Sequence, residues 1–143
     1  MITPRRQLST LALATAALAV TFSSVAAPAD AAGRHFGDVA TYYKATIQSC
    51  KTSIEDGTKW RIFMRLDNTA NRPALKRSGS VIVVKNGETT DRRIDTPYIP
   101  GRKVSKVKSI DVKKGDAWSL AMGVGAGQMG DGGPVDFSDL RHC

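Results

Sequence analysis

The sequence predicts an all-β fold: an Ig-like antiparallel β-sandwich of about seven short strands, closed by one disulfide and preceded by a cleaved secretory signal peptide. Three observations predict it. Apolar and polar residues alternate with a period of two in run after run, while no window sustains the 3.6 period of a helix. Turn residues punctuate these runs at roughly eight- to twelve-residue intervals. Finally, the chain carries two cysteines, Cys50 and Cys143, and both lie beyond the signal segment, so an oxidising exterior allows them to pair in only one intramolecular way.

The amino end reads as an export signal. A short basic stretch, MITPRR, precedes the uncharged run LSTLALATAALAVTFSSVAA, and Ala29 and Ala31 then stand at the A-x-A spacing of a cleavage site. A retained anchor fits less well, because Ser, Thr and Ala interrupt the run too often for a good span. Residues 1–31 are therefore assigned to the signal, and residues 32–143 to one domain with a short arm over about residues 32–38. The expected product is secreted, extracellular and free of the membrane once cleaved. At about 112 residues it buries a modest core and gains from a staple.

The elements follow in order. VATYYKATIQS is read as one strand, with Val39, Tyr43, Ala45 and Ile47 on its inner face. KWRIFMRLD alternates more cleanly, with Trp60, Ile62, Met64 and Leu66 inward and Arg61, Phe63 and Arg65 outward. DNTANRP is a turn-rich break. SVIVVK and ETTDRR form a hairpin about Asn86-Gly87, a pair suited to a type I′ turn, which sets Lys85 opposite Glu88. Pro100-Gly101 reads as a type II turn, and KVSKVKSIDV and AWSLAMGV as the next two strands. A flexible Gly-rich loop over residues 123–134 then leads into a last strand, residues 135–143, which Cys143 pins to the end of the first strand.

Little in the sequence points to catalysis, so no enzyme activity, cofactor or metal is expected. His142, Ser138 and Asp139 crowd into five residues of one strand, where a triad cannot be arranged. No spacing selects a pair of carboxylates for glycoside hydrolysis. GVGAGQMGDGGP lacks the Lys-Ser/Thr of a phosphate loop, and Asp131, Asp136 and Asp139 lack the register of a calcium loop.

The surface points instead to recognition. Counted from Ala32, 19 basic residues stand against 12 acidic ones. Lys106 and Lys108 share a strand face, and Arg102, Lys103, Lys113 and Lys114 flank it, a stripe that would attract anionic cell-wall polymers or an acidic protein face. Nucleic acid is not expected, since aromatics form only 6% of the chain. Trp60 and Trp118 lie in phase with core aliphatics and are expected to be buried; Tyr42, Tyr98 and Phe63 are the surface candidates. Phe63 between Arg61 and Arg65 has the composition of an interface hot spot. The arm GRHFGDVATYY lies ahead of the disulfide, so Arg34, His35, Phe36, Tyr42 and Tyr43 are candidates for a strand that adds to a partner. A protease-inhibitor reading would place the reactive site at Gln128-Met129.

Taken together, the signal peptide, the domain size, the long-range Cys50/Cys143 pair and the arm from Arg34 to Tyr43 resemble the small secreted subunit of actinobacterial umbrella toxin particles. That resemblance implies an adaptor which links a lectin-bearing subunit to a large toxin subunit by strand insertion and β-domain contacts. The function expected is thus a secreted, non-enzymatic protein-binding adaptor. The alternatives are a polyanion- or glycan-binding envelope module and a secreted protease inhibitor.

Overall fold

The computed structural model describes residues 33–143; the signal segment and its cleavage site lie outside the described residues. Eight strands form the body: β1 (Gly37–Tyr42), β2 (Ala45–Ile54), β3 (Lys59–Asp67), β4 (Ser78–Lys85), β5 (Glu88–Asp95), β6 (Lys108–Lys113), β7 (Trp118–Ala126) and β8 (Met129–Val135). They make two four-stranded sheets, β1-β2-β3-β6 and β5-β4-β7-β8, with every neighbour antiparallel. The chain changes sheet between β3 and β4, between β5 and β6, and between β6 and β7. This is an Ig-like antiparallel sandwich, with one strand more than the seven expected.

Alternation builds its core. Ile47 from β2 and Ile62, Met64 and Leu66 from β3 face Val81 and Val83 from β4 and Leu120, Met122 and Val124 from β7, and all are buried. Each such side chain contributes about 1.5–3 kcal/mol relative to staying in water. Asn86 and Gly87 take φ of 52° and 81°, as the type I′ hairpin requires, and Lys85 pairs with Glu88.

Five local readings are corrected. The first predicted strand is two: Tyr43 and Lys44, at φ 44° and 62°, form a tight turn that pairs Tyr42 with Ala45. The turn, with a bulge between Asp38 and Ala40, resets the alternation, so Tyr42 packs on the core and Tyr43 is exposed. The Gly-rich segment is no flexible loop but the end of β7 and most of β8, joined at a tight turn. Glycine suits it because the backbones lie close: a Cβ on Gly132 would stand 2.4 Å from the Met122 carbonyl oxygen. The expected last strand is a 3₁₀ turn, Phe137–Asp139, closed by a capping box between Asp136 and Asp139. The strand read from Lys103 starts only at Lys108. Finally, the positive φ near Pro100 belongs to Arg102 (65°), so Pro100-Gly101 is not a type II turn.

The C-terminal residues nevertheless tie into a sheet. β1 pairs with β2 only as far as Gly37 opposite Ser49, which leaves the same edge of β2 open at Lys51. There Lys51 N donates to the Arg141 carbonyl at 2.8 Å and Cys143 N to the Lys51 carbonyl at 3.0 Å. Cys143 is bonded to buried Cys50, which pairs across the ladder with Phe63 and so sits on the outward face. Because the tail takes this edge, the arm cannot continue along it. It turns across the outer face instead, setting Arg34 over the Phe63 ring at 4.1 Å and Phe36 under the Arg65 guanidinium at 4.4 Å.

Long basic side chains close the seam between β5 and β6, the open edges of the two sheets. Arg92 donates to the Asp111 carbonyl, and Lys108 Nζ to the Asp95 carbonyl at 2.6 Å. Such use of charged side chains protects strand edges from pairing with another chain. Beside the seam, Arg61 holds Asp111 through paired hydrogen bonds of 2.7 and 2.8 Å.

Two predictions follow from these ties. Replacing both cysteines, Cys50→Ser with Cys143→Ser, frees a bridge of sequence separation 93. It should lower the unfolding free energy by about 4–5 kcal/mol, read from urea titrations under oxidising conditions. The hydrogen bond from Arg61, chief among the causes, holds the Asp111 carboxyl below its ordinary value of 3.8. Its stabilisation is therefore complete above that value and disappears as pH falls through the lower, folded one. Thermal midpoints of Asp111→Asn should run parallel to wild type near neutrality, and the two curves should converge in acid.

Candidate functional site

Antiparallel pairing gathers four connections at one end of the sandwich: residues 43–44, 68–77, 96–107 and 127–128. Two asparagines from the turn-rich break organise them. Asn68 is fully buried, and its Nδ2 donates to the carbonyls of Leu75 (2.9 Å) and Ile99 (3.1 Å). Its Oδ1 accepts from Asn71 Nδ2 at 2.7 Å, and Asn71 Nδ2 also donates to the Tyr43 carbonyl at 2.8 Å. The backbone of Asn68 adds two ties to the same neighbour, donating to the Lys103 carbonyl and accepting from Arg102 N. Three of the four connections thus meet in one buried polar network, every member of which is paired.

The neighbouring contacts hold the same loops. Gly101 is pressed against residues 71–72, so closely that a Cβ there would fall 2.1 Å from the Arg72 carbonyl oxygen. Arg77 and Ile99 exchange backbone hydrogen bonds, and the Tyr98 hydroxyl donates to the Gly127 carbonyl at 2.9 Å, which brings in the fourth connection. Tyr43 stands against Tyr42 edge to face, with ring centres 4.5 Å apart. Left-handed backbone at a tyrosine and a lysine costs about 1–2 kcal/mol per residue, and the bond from Asn71 to the Tyr43 carbonyl helps to hold it.

What these loops present to solvent is apolar. Among the described residues, the exposed large hydrophobic side chains are Tyr43, Tyr98, Val104 and Met129, and all four belong to this pole. A shallow hollow of about 260 Å³ lies beside Tyr43, bordered by Lys44, Arg72, Leu75 and Arg77. A larger groove, about 610 Å³, runs between Pro97, Ile99, Pro100 and Val104, with Lys103, Lys106 and Lys108 along it.

The structure separates the residues that the sequence grouped. Of the six candidates for protein binding, only Tyr43 reaches the pole as an exposed aromatic, with the Arg77 guanidinium 5.9 Å from its ring centre. Tyr42 is half-buried against the core, and Phe63 is half-buried beneath Arg34. Phe36 lies against Arg65, and His35 is exposed on the arm. The basic stripe also divides. Lys103, Lys106 and Lys108 line the groove, with Arg102 next to Lys103 in the chain, but Lys113 ends β6 and Lys114 follows it, about 16–20 Å from Lys108 at the rise of a strand. Lys114 there caps the Trp60 ring at 3.7 Å and donates to the Ser53 hydroxyl. Trp60 and Trp118 are half-buried against the core at that opposite pole, Trp60 with His142 edge-on to it. Gln128, expected on a flexible loop, occupies the tight turn between β7 and β8.

Tyr98 and Met129 were legible as surface candidates; Asn68, Asn71 and Val104 were not. Asparagine in a break between strands reads as turn chemistry, and nothing in DNTANRP distinguishes a side chain that turns inward.

Among the described residues, no group of three or more His, Cys, Asp or Glu side chains gathers to hold a metal. Ser138 and Asp139 belong to the 3₁₀ turn, where Asp139 Oδ2 accepts from Asp136 N, while His142 faces Trp60. No family model matches the chain, and no curated protein or solved structure matches it.

Asn68→Ala would leave the Leu75 carbonyl without its partner and would take one of two hydrogen bonds from both the Ile99 carbonyl and the Asn71 amide. It should cost about 2–3 kcal/mol in urea unfolding. Amide hydrogen exchange should rise first in residues 96–103, ahead of the β2–β3 ladder.

Proposed function

We propose that this chain is a secreted, non-enzymatic adaptor domain that binds another protein through its loop pole. The observation that supports it is the coincidence of exposure with rigidity: Tyr43, Tyr98 and Val104 present apolar surface from loops that Asn68 and Asn71 hold together, and Met129 adds to it from the start of β8, beside the turn that Tyr98 ties in. Loops fixed before binding lose little entropy on association, so modest contact area yields useful affinity. Aromatic side chains surrounded by arginine and lysine have the composition of an interface centre. The opposite pole offers no equivalent, since its tryptophans are packed against the core and covered by lysines.

Within a secreted toxin particle of the umbrella type, such a domain would join a lectin-bearing subunit to the large toxin subunit. The arm from Arg34 to Phe36 then supplies a second contact. It is held to its own sheet by two stacked guanidinium–ring pairs, worth about 0.5–1 kcal/mol each when exposed, and such pairs exchange readily for contacts with another chain.

Affinity capture from native culture supernatant, with the partner identified by mass spectrometry, tests the reading. Wild type and Lys113→Glu should retain the same secreted protein. Tyr43→Ala combined with Met129→Ala should weaken that capture by about 30-fold or more at unchanged thermal stability. A strictly monomeric secreted species, or a partner indifferent to the double variant, would rule the pole out.

A further inference from the structure

The groove beside the pole has a chemistry of its own. Its floor is apolar: Pro97, Ile99, Pro100 and Val104. Its rim is cationic, and two of its lysines are uncommitted. Lys108 Nζ is spent on the Asp95 carbonyl. Lys103 and Lys106, by contrast, have no carboxylate within ion-pair distance among the described residues. The nearby acids are already engaged: Asp95 is paired with Arg93, and the Asp67 carboxylate accepts from Thr69. A positive rim without counter-charge over an apolar floor calls for a ligand that is both acidic and apolar.

The walls also decide how that ligand is held. Pro97 and Pro100 have no N–H to donate. Ile99 N and its carbonyl are both bonded to Arg77, the Lys103 carbonyl accepts from Asn68 N, and Ser105 N donates to the Leu66 carbonyl. What remains on the main chain is scattered, as at Val104, so an incoming strand would find little ladder to extend. Side chains carry most of the recognition.

We propose that this groove docks an acidic peptide segment of the partner protein, seating an apolar side chain on Pro97, Ile99 and Val104 while flanking carboxylates meet Lys103 and Lys106. This rests on the protein-binding reading and names the chemistry of the partner. A wholly hydrophilic polyanion such as a polyglycerol phosphate satisfies the lysines but leaves the floor uncovered, so the observations favour the peptide.

The test uses the intact mature domain and three probes: an octapeptide of alternating Asp and Leu, one of alternating Asp and Ser, and polyglycerol phosphate. Binding is followed by amide chemical shifts and by calorimetry. The Asp-Leu peptide should move the resonances of residues 97–108, bind about tenfold more tightly than the other two, and weaken with added salt. Lys103→Glu with Lys106→Glu should lower its affinity by about tenfold or more with the remaining spectrum unchanged, and Val104→Ser should bring it towards the Asp-Ser peptide. Equal binding of all three probes would show attraction without use of the floor and would overturn the proposal in favour of a polyanion site, as would shifts confined to other surfaces. Capture of a native partner that responds to Tyr43→Ala but not to the lysine variants would overturn the groove alone and leave the adaptor reading standing.

Discussion

The buried amide of Asn68 is the interaction on which the loop pole of this molecule depends. A sandwich of two sheets fixes strands well and loops poorly, because core burial acts on the strands and the connections run over the surface. Here a single side chain, fully excluded from water, bonds to carbonyls of two loops and, through Asn71, to a third. In a low-dielectric site each of these bonds is costly to leave unmade, so the loops cannot drift apart singly. The network joins three connections into one surface, and the bond from Tyr98 to Gly127 adds the fourth. Its shape, with Gly101 pressed on the Arg72 carbonyl and Tyr98 tied to Gly127, is specified by hydrogen bonds and close approach more than by hydrophobic burial.

The opposite pole is built on other terms. The disulfide joins the tail to the outward face of β2, and Lys51, buried beneath it, donates to the Phe137 carbonyl and faces the Trp60 ring. Lys114 covers another part of the same ring. Apolar surface at this end is thus capped closely by the chain's own cations, whereas at the loop pole only Tyr43 has a cation over it, Arg77 at 5.9 Å, and Tyr98, Val104 and Met129 are left bare. The difference cannot come from a shortage of lysine, since Lys44, Lys103 and Lys106 all stand beside the bare residues and none is placed over a ring there. The two ends of one sandwich therefore handle the same problem in opposite ways, one covering its hydrophobic groups and the other displaying them.

The layers and most of the ladder were legible in the sequence, because alternation in KWRIFMRLD and AWSLAMGV reports which face is buried, and Asn86-Gly87 reports its turn by its own backbone preference. The cysteine pair was legible because two cysteines leave no choice. What escaped was every feature whose cause lies far away in the chain. Tyr43-Lys44 has no turn signature, since its left-handed backbone is held in part by an asparagine 28 positions from Tyr43. The Gly-rich run looked like a flexible connection, yet its glycines allow close approach between paired strands. Phe63 lies on the outer face as its alternation predicts, but it is not free, because the arm that covers it is diverted there by a C-terminal tail that occupies the edge of β2. The basic residues were identified one by one, but their grouping followed proximity in sequence, and β6 carries Lys108 and Lys113 to opposite poles.

This division also bears on where an Ig-like body carries backbone strain. The strained turn at Tyr43 and Lys44 is not needed for pairing β1 with β2, since residues such as Asn-Gly reverse a chain at far lower cost, as this protein does at Asn86-Gly87. Using a tyrosine there places a large, half-polar ring at the tip of a hairpin, with few rotatable bonds to freeze on contact. That choice reduces local stability, and the Asn71 bond offsets part of the loss. Strain held at a surface by a hydrogen bond from a separate loop fits the pre-formed contact proposed above, since it adds nothing to the stability of the sandwich.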